Sequence, residues 1–172
     1  MEVLTRCWLD TPVGAALGLQ TSGGLAGLFL GEERAEGSLS KWRRRWAPEA
    51  PLEEDPAPFA VLRAQLEAYF AGELQRFDVP LDLRGTDFQR EVWAGLRRIP
   101  FGKTRTYAEL ASAIGRPSAT RAVGAGNGAN PVPILVPCHR VTAKGGLGGF
   151  SAGLARKRAL LELEGVLLPL TE

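Results

Sequence analysis

The chain has 172 residues, 45% hydrophobic and 23% charged, with a formal net charge of only +2. This is the composition of one or two small globular domains, and it excludes a disordered chain, which lacks the apolar residues to offset the entropy of ordering. No apolar run approaches the ~20 residues of a membrane helix, MEVLTRCWLD has no apolar core behind a positive segment, and two cysteines with one histidine are too few for a disulfide scaffold or a structural zinc site. A cytoplasmic protein with neither metal nor cofactor is expected.

In chain order, 3–9 (VLTRCWL), 14–20 (GAALGLQ) and 25–30 (LAGLFL) read as short strands, with TSGG at 21–24 as the turn between the second and third. Cys7 falls in the first of these as a core or edge residue. Residues 31–58 are rich in Glu, Arg, Ala and Pro with no clear period. KWRRRW at 41–46 combines basic and aromatic residues, and reads best as a short surface helix or loop. Phe59, Leu62, Leu66, Tyr69 and Phe70 share one face of a helix that Gly72 ends. Residues 73–85 look extended through Pro80.

Charge divides the chain. Residues 1–85 hold 9 basic and 13 acidic residues, and residues 86–172 hold 12 and 6. A basic second half suits a polyanion-binding domain, and suits a solvated surface equally. It opens on a capping box, Thr86-Asp-Phe-Gln89, with Phe88, Val92, Trp93, Leu96 and Ile99 facing inward. A second box, Thr106-Tyr-Ala-Glu109, starts a helix that Gly115 can end. Pro117 suits the first turn of the next helix, through Arg121 to Gly126. Such a pair is a helix-turn-helix signature. Its second helix is almost all small residues with one long cation, Arg121; it could lie close in a groove, or pack tightly on a neighbour and leave the arginine exposed.

The chemistry concentrates in 130–151. Three prolines in Asn130-Pro-Val-Pro-Ile-Leu-Val-Pro-Cys-His-Arg140 forbid a central strand. They leave Ile134-Leu135-Val136 buried and present Cys138 beside the chain's single histidine. A thiolate is the reactive form of cysteine, and an imidazole can take its proton directly or through a water. Glu162 or Glu164, on a last helix at 152–165 capped by Ser151 and Gly165, could orient that imidazole. Cys138 as a buried structural thiol and His139 as a satisfied core histidine are the other reading. Gly145-Gly-Leu-Gly-Gly149 looks like a flexible binding loop.

Pro137-Cys-His-Arg-Val141, preceded by Asn130-Pro-Val-Pro-Ile134, resembles the active-site signature of the O6-alkylguanine-DNA alkyltransferases. The likeness runs from Gly85-Thr-Asp-Phe-Gln-Arg-Glu-Val-Trp93 to Glu164-Gly165, taking in Phe101-Gly-Lys-Thr-Arg-Thr-Tyr107, Arg121-Ala-Val-Gly124 and Ser151-Ala-Gly-Leu154. It implies an N-terminal α/β domain (1–84), a small antiparallel sheet with a helix, and a C-terminal, mostly helical DNA-binding and alkyl-acceptor domain (85–172).

The resemblance also implies roles. Cys138 would accept the alkyl group. His139 would deprotonate it through a water and Glu164 would orient the imidazole, while Asn130 braces the turn and Tyr107 gives its hydroxyl to the guanine ring. Arg121 would fill the space of the flipped nucleotide, with Thr120, Ala122 and Gly126 at the DNA and Val141, Phe150, Ser151 and Trp93 around the pocket. Phe150 replaces a tyrosine frequent in the family, which puts any polar role there in doubt. Double-stranded DNA carrying O6-alkylguanine would be the partner of a monomer acting once. A non-catalytic damage binder, a thiol hydrolase and a plain DNA-binding regulator are the rival classes; the presence of Cys138 argues against the first.

Overall fold

The computed structural model describes residues 1–166, and the chain divides into two units between Arg84 and Gly85. In the first, β1 (Leu4–Thr11), β2 (Gly14–Thr21) and β3 (Gly24–Leu30) form an antiparallel meander. A threonine hydroxyl braces each two-residue turn. Thr11 Oγ1 accepts from the Val13 amide and donates to the Gly14 carbonyl; Thr21 Oγ1 likewise accepts from the Gly23 amide, but its proton goes to Asp82 Oδ2 at 2.5 Å, with the Gly24 carbonyl farther away at 3.3 Å. Gly24 is obligatory: its φ is +135°, and a Cβ there would lie 2.6 Å from the Pro80 carbonyl oxygen.

Two features of this unit depart from the sequence reading. β4 (Leu52–Glu54) pairs parallel with β1, so the sheet is mixed, in the order β3-β2-β1-β4. Three residues with no alternation carry no strand signal. The stretch after residue 31, read as having no clear period and at 41–46 as a short surface helix or loop, opens with a 15-residue helix, α1 (Glu32–Trp46). Its inward stripe is narrow, Ala35, Leu39 and Trp42, and packs on Leu17, Leu19, Ala26 and Phe29. One member of that stripe is only an alanine, so the period is faint in the sequence. On the other side of β2, Gly18 makes room for Phe59: a Cβ would meet its ring at 2.6 Å. Phe59 leads into α2 (Ala60–Phe70), whose Leu62, Leu66 and Tyr69 are buried, and Gly72 (φ +77°) ends it.

In the second unit both capping boxes form. Thr86 and Gln89 open α3 (Asp87–Arg97), and Thr106 and Glu109 open α4 (Tyr107–Ala113). Gly115 (φ +75°) ends α4 in a left-handed turn. α5 (Thr120–Gly128) starts three residues after Pro117, which lies in the connecting turn, and runs two past Gly126. β5 (Arg105–Thr106) and β6 (Val141–Thr142) make a two-residue parallel bridge. α6 (Leu154–Leu163) has Gly153 (φ +98°) at its N-cap, not Ser151, whose Oγ donates to the Gly128 carbonyl at 2.8 Å. Gly165 ends it as expected. The last six residues of the expected second domain lie outside the described residues. Among those described, no helix is long and apolar enough to cross a membrane.

Candidate active site

The thiol is delivered by a turn with three prolines and one braced asparagine. Asn130 Oδ1 accepts from the Val132 amide at 3.0 Å, and its Nδ2 donates to the Val136 carbonyl at 2.7 Å, closing the loop at both ends. Within it Ile134 has φ +75°, a conformation that costs a β-branched residue about 1–3 kcal/mol unless its surroundings enforce it. Ile134 and Val136 are buried. Cys138 then begins a single 3-10 turn, Cys138–Arg140, of which every residue is buried.

Glu164 organises the centre. Its Oε2 lies 2.6 Å from His139 Nε2 and 3.0 Å from Arg140 Nη2; its Oε1 accepts from Arg140 Nε at 2.8 Å and from the Gly102 amide at 3.2 Å. Arg140 also donates to the Ile99 carbonyl at 2.7 Å. A carboxylate held by a guanidinium can only accept, so His139 Nε2 carries the proton and Nδ1 keeps its lone pair. Nδ1 is buried and hydrogen-bonds to nothing among the described residues, so it is the ring nitrogen left to take a proton. Burial lowers the pKa of His139 against the opposing pull of Glu164, keeping the imidazole neutral and its Nδ1 lone pair open to a proton. Burial also raises the Cys138 thiol to about 11, with Asn130 and then Lys157 pulling the other way. The resting sulfur is therefore a thiol at neutral pH, and a reactive thiolate must be generated next to substrate.

Of the two carboxylates open in the sequence, Glu164 is buried in this network and Glu162 is exposed. Two residues escaped the sequence reading. Arg140 is the buried counter-ion of Glu164. Lys157, fully buried, donates from Nζ to the Val141 carbonyl at 2.6 Å and the Gly149 carbonyl at 2.9 Å. It thus ties the segment after the thiol to the glycine loop. Burial lowers its pKa to about 8, and Cys138 opposes that shift. The signal was available: 157, 160, 161 and 164 fall on one helical face, so a lysine there points inward with Leu160, Leu161 and Glu164.

Tyr107 is half-buried at the start of α4, and its hydroxyl accepts from the Gly149 amide at 3.1 Å. Gly148 (φ +74°) approaches that hydroxyl so closely that a Cβ would lie 2.9 Å from it. Val141 is buried, Phe150 half-buried and Ser151 exposed. On α5, Arg121 and Ala122 are exposed and Thr120 is half-buried. Two expectations are corrected. Gly126 is buried against Val92, where a Cβ would come to 3.1 Å, so it faces the protein rather than DNA. Trp93 is 1% exposed, and its Nε1 donates to the Gly126 carbonyl at 2.9 Å. It is the core link between α3 and α5, not a pocket wall.

The sequence matches two family descriptions in tandem: "6-O-methylguanine DNA methyltransferase, ribonuclease-like domain" over residues 7–83, and the same protein's DNA binding domain over residues 87–166. The chain belongs to the 6-O-methylguanine DNA methyltransferase family. Among curated relatives, the methylated-DNA–protein-cysteine methyltransferase of Mycobacterium tuberculosis is 50% identical over 157 residues, covering 91% of this chain and 89% of that one. The enzyme of the same name from Methanosarcina barkeri is 43% identical, covering 91% and 94%. A crystal structure of the M. tuberculosis O6-methylguanine methyltransferase superposes with a TM-score of 0.80 at 46% identity, over 95% of this chain and 93% of that one. A structure of M. tuberculosis OGT in complex with DNA superposes with a TM-score of 0.78 at 45% identity, over 94% and 91%. The stretch matched to the methyltransferase DNA binding domain holds α4, α5, Cys138, His139, Lys157 and Glu164 together.

Proposed function

We propose that this methyltransferase-family chain repairs double-stranded DNA by moving the alkyl group of O6-alkylguanine onto its own Cys138, once per molecule. The observation that carries the reading is the buried Cys138 thiol beside a neutral His139 whose tautomer Glu164 sets at 2.6 Å. In the step, a sulfur–carbon bond forms as the carbon–O6 bond breaks. The thiol proton passes through a water to His139 Nδ1. Tyr107 protonates the departing guanine, which leaves neutral, and regains its proton from the imidazolium through solvent. The product is a thioether, which water does not hydrolyse as it does a thioester, so the acceptor is consumed.

A guanine inside a duplex cannot reach a buried thiol, and flipping it out costs a few kcal/mol. Exposed Arg121 enters the stack in its place and recovers part of that cost. α4 and α5 serve as the helix-turn-helix, in the minor groove, with Thr120 and Ala122 beside the backbone. Small residues on α5 permit the close approach, and phosphate contacts suffice because repair must act at any sequence. Val141, Ser151 and Phe150 surround the flipped base, and Asn130 and Lys157 position the thiol segment and the glycine loop. Residues 1–84 form the N-terminal α/β domain and 85–172 the DNA-binding, alkyl-accepting one. The step needs one copy of the chain, no metal and no cofactor, and we place it in the cytoplasm.

The test uses duplex DNA with a single O6-methylguanine bearing a labelled methyl group. The label moves to the wild-type protein and stays on the DNA with Cys138→Ser. Label released to solvent, or transferred equally by Cys138→Ser, overturns the proposal.

A further inference from the structure

We infer that the exposed basic face of α1 in the first unit is a second contact for duplex DNA, binding backbone phosphates. The inference rests on the DNA-repair reading above. The first unit is acidic overall, yet four of its nine cations fall in residues 41–45. The helical turn sorts them. Lys41, Arg44 and Arg45 project to one side with Arg34 two to three turns before them, while Ala35, Leu39 and Trp42 face the core. Between Arg34 and Lys41 that side holds only Gly37 and Ser38. Lys41, Arg44 and Arg45 are exposed. The ion pairs of this unit among the described residues use Arg6 and Arg84, and none uses this face.

Cations in the last turn complement the helix dipole, but that benefit falls off within one turn. It does not account for Lys41, and it opposes Arg34 in the first turn. Like charges side by side without carboxylates repel one another, so the arrangement is stabilised only when an anion covers it. The face is also held in shape: Arg45 stacks on Trp46 at 4.8 Å, and Arg43 turns away to donate to the Ala50 carbonyl at 2.9 Å. From Arg34 to Arg45 the stripe spans about 16 Å at 1.5 Å per residue. Phosphates recur about every 3.4 Å of rise along one strand, so the stripe matches an extended run of them rather than a single anion.

The experiment measures equilibrium binding of the full chain to an undamaged duplex across a salt series, comparing wild type with Lys41→Gln/Arg44→Gln/Arg45→Gln. Each lost phosphate contact flattens the plot of log K against log salt by about 0.9, so the variant slope should be shallower by about two to three. Methyl transfer from free O6-methylguanine, which needs no duplex, should proceed at the wild-type rate and so report an intact fold and thiol. A charge-conserving Lys41→Arg/Arg44→Lys/Arg45→Lys variant should keep the wild-type slope. An unchanged slope in the glutamine variant, or an equal loss in the charge-conserving one, overturns the inference. Wild-type protein with no salt-dependent affinity for the duplex instead overturns the DNA-repair reading, and this inference with it.

Discussion

Replacing Glu164 by Gln separates the electrostatic work of that carboxylate from its shape. Glu164 accepts hydrogen bonds from His139, twice from Arg140, and from Gly102. A carboxamide has one accepting oxygen and no charge, and its NH2 meets Arg140 in either orientation, together with the Gly102 amide or with His139. Both orientations leave a buried guanidinium without its counter-ion, which costs about 3–5 kcal/mol. At about 2–4 °C per kcal/mol for a chain of this size, the melting temperature falls by about 6–20 °C. Facing His139, it makes Nε2 the acceptor and moves the proton to Nδ1, the atom needed to take the thiol proton. The same loss of tautomer control in a serine protease triad costs about 10⁴ in rate, and general-base help is worth about 10²–10⁴, so we expect a slowing within that range. The assay is single-turnover methylation of Cys138, followed by intact mass at a temperature where both proteins are folded. The pH profile gives a second readout. With the thiol at about 11, spontaneous thiolate increases about tenfold per pH unit below that value. The variant, having lost its base, should follow that slope from pH 7 upward, whereas the wild type should be flatter. A fully folded Glu164→Gln protein with wild-type rate and profile would refute the tautomer argument.

Three further outcomes follow from the geometry. Arg121→Ala should slow repair of duplex DNA about 5- to 150-fold, the equivalent of 1–3 kcal/mol of flipping cost no longer offset, and leave transfer from free O6-methylguanine unchanged; equal loss on both substrates would contradict the stacking role. Lys157→Met should slow alkylation of Cys138 by iodoacetamide at pH 7, where the charged Lys157 favours the thiolate, and the difference from wild type should fade as pH rises through about 8, where Lys157 loses its charge. An equal rate at pH 7 would leave Lys157 with only its two carbonyl contacts. Trp93→Phe should lower thermal stability by about 1 kcal/mol, the net worth of one hydrogen bond to the Gly126 carbonyl, which keeps the Ala129 amide at 3.2 Å, with alkylation chemistry intact once folded. A loss of rate without loss of stability would return Trp93 to the pocket.

How far the site could be read from sequence depended on whether the signal was local. Capping boxes are local, and Thr86 with Gln89 and Thr106 with Glu109 form as read. The positive-φ glycines at 72, 115 and 165 are local stops, and they end α2, α4 and α6. Strand β4 and helix α1 were missed for opposite reasons: β4 is too short to alternate, and α1 buries so few apolar side chains that its charged residues mask the period. Trp93, whose pattern already read as inward-facing, and Gly126 had ligand roles only through the resemblance, and both are buried in the contact between α3 and α5. Lys157 drew no reading, because burial of a charge depends on partners supplied from elsewhere, here the carbonyls of Val141 and Gly149. Choosing between Glu162 and Glu164 also required the end of α6 to be placed against His139.

The central claim is that Cys138 is the acceptor and is used once. Intact mass of the protein after incubation with an excess of duplex DNA containing O6-methylguanine tests it most directly. The account predicts a gain of one CH2 unit, confined on digestion to the peptide containing Cys138, with no second addition however long the incubation. A gain on another residue, more than one methyl per chain, or tight binding with no gain at all would contradict it.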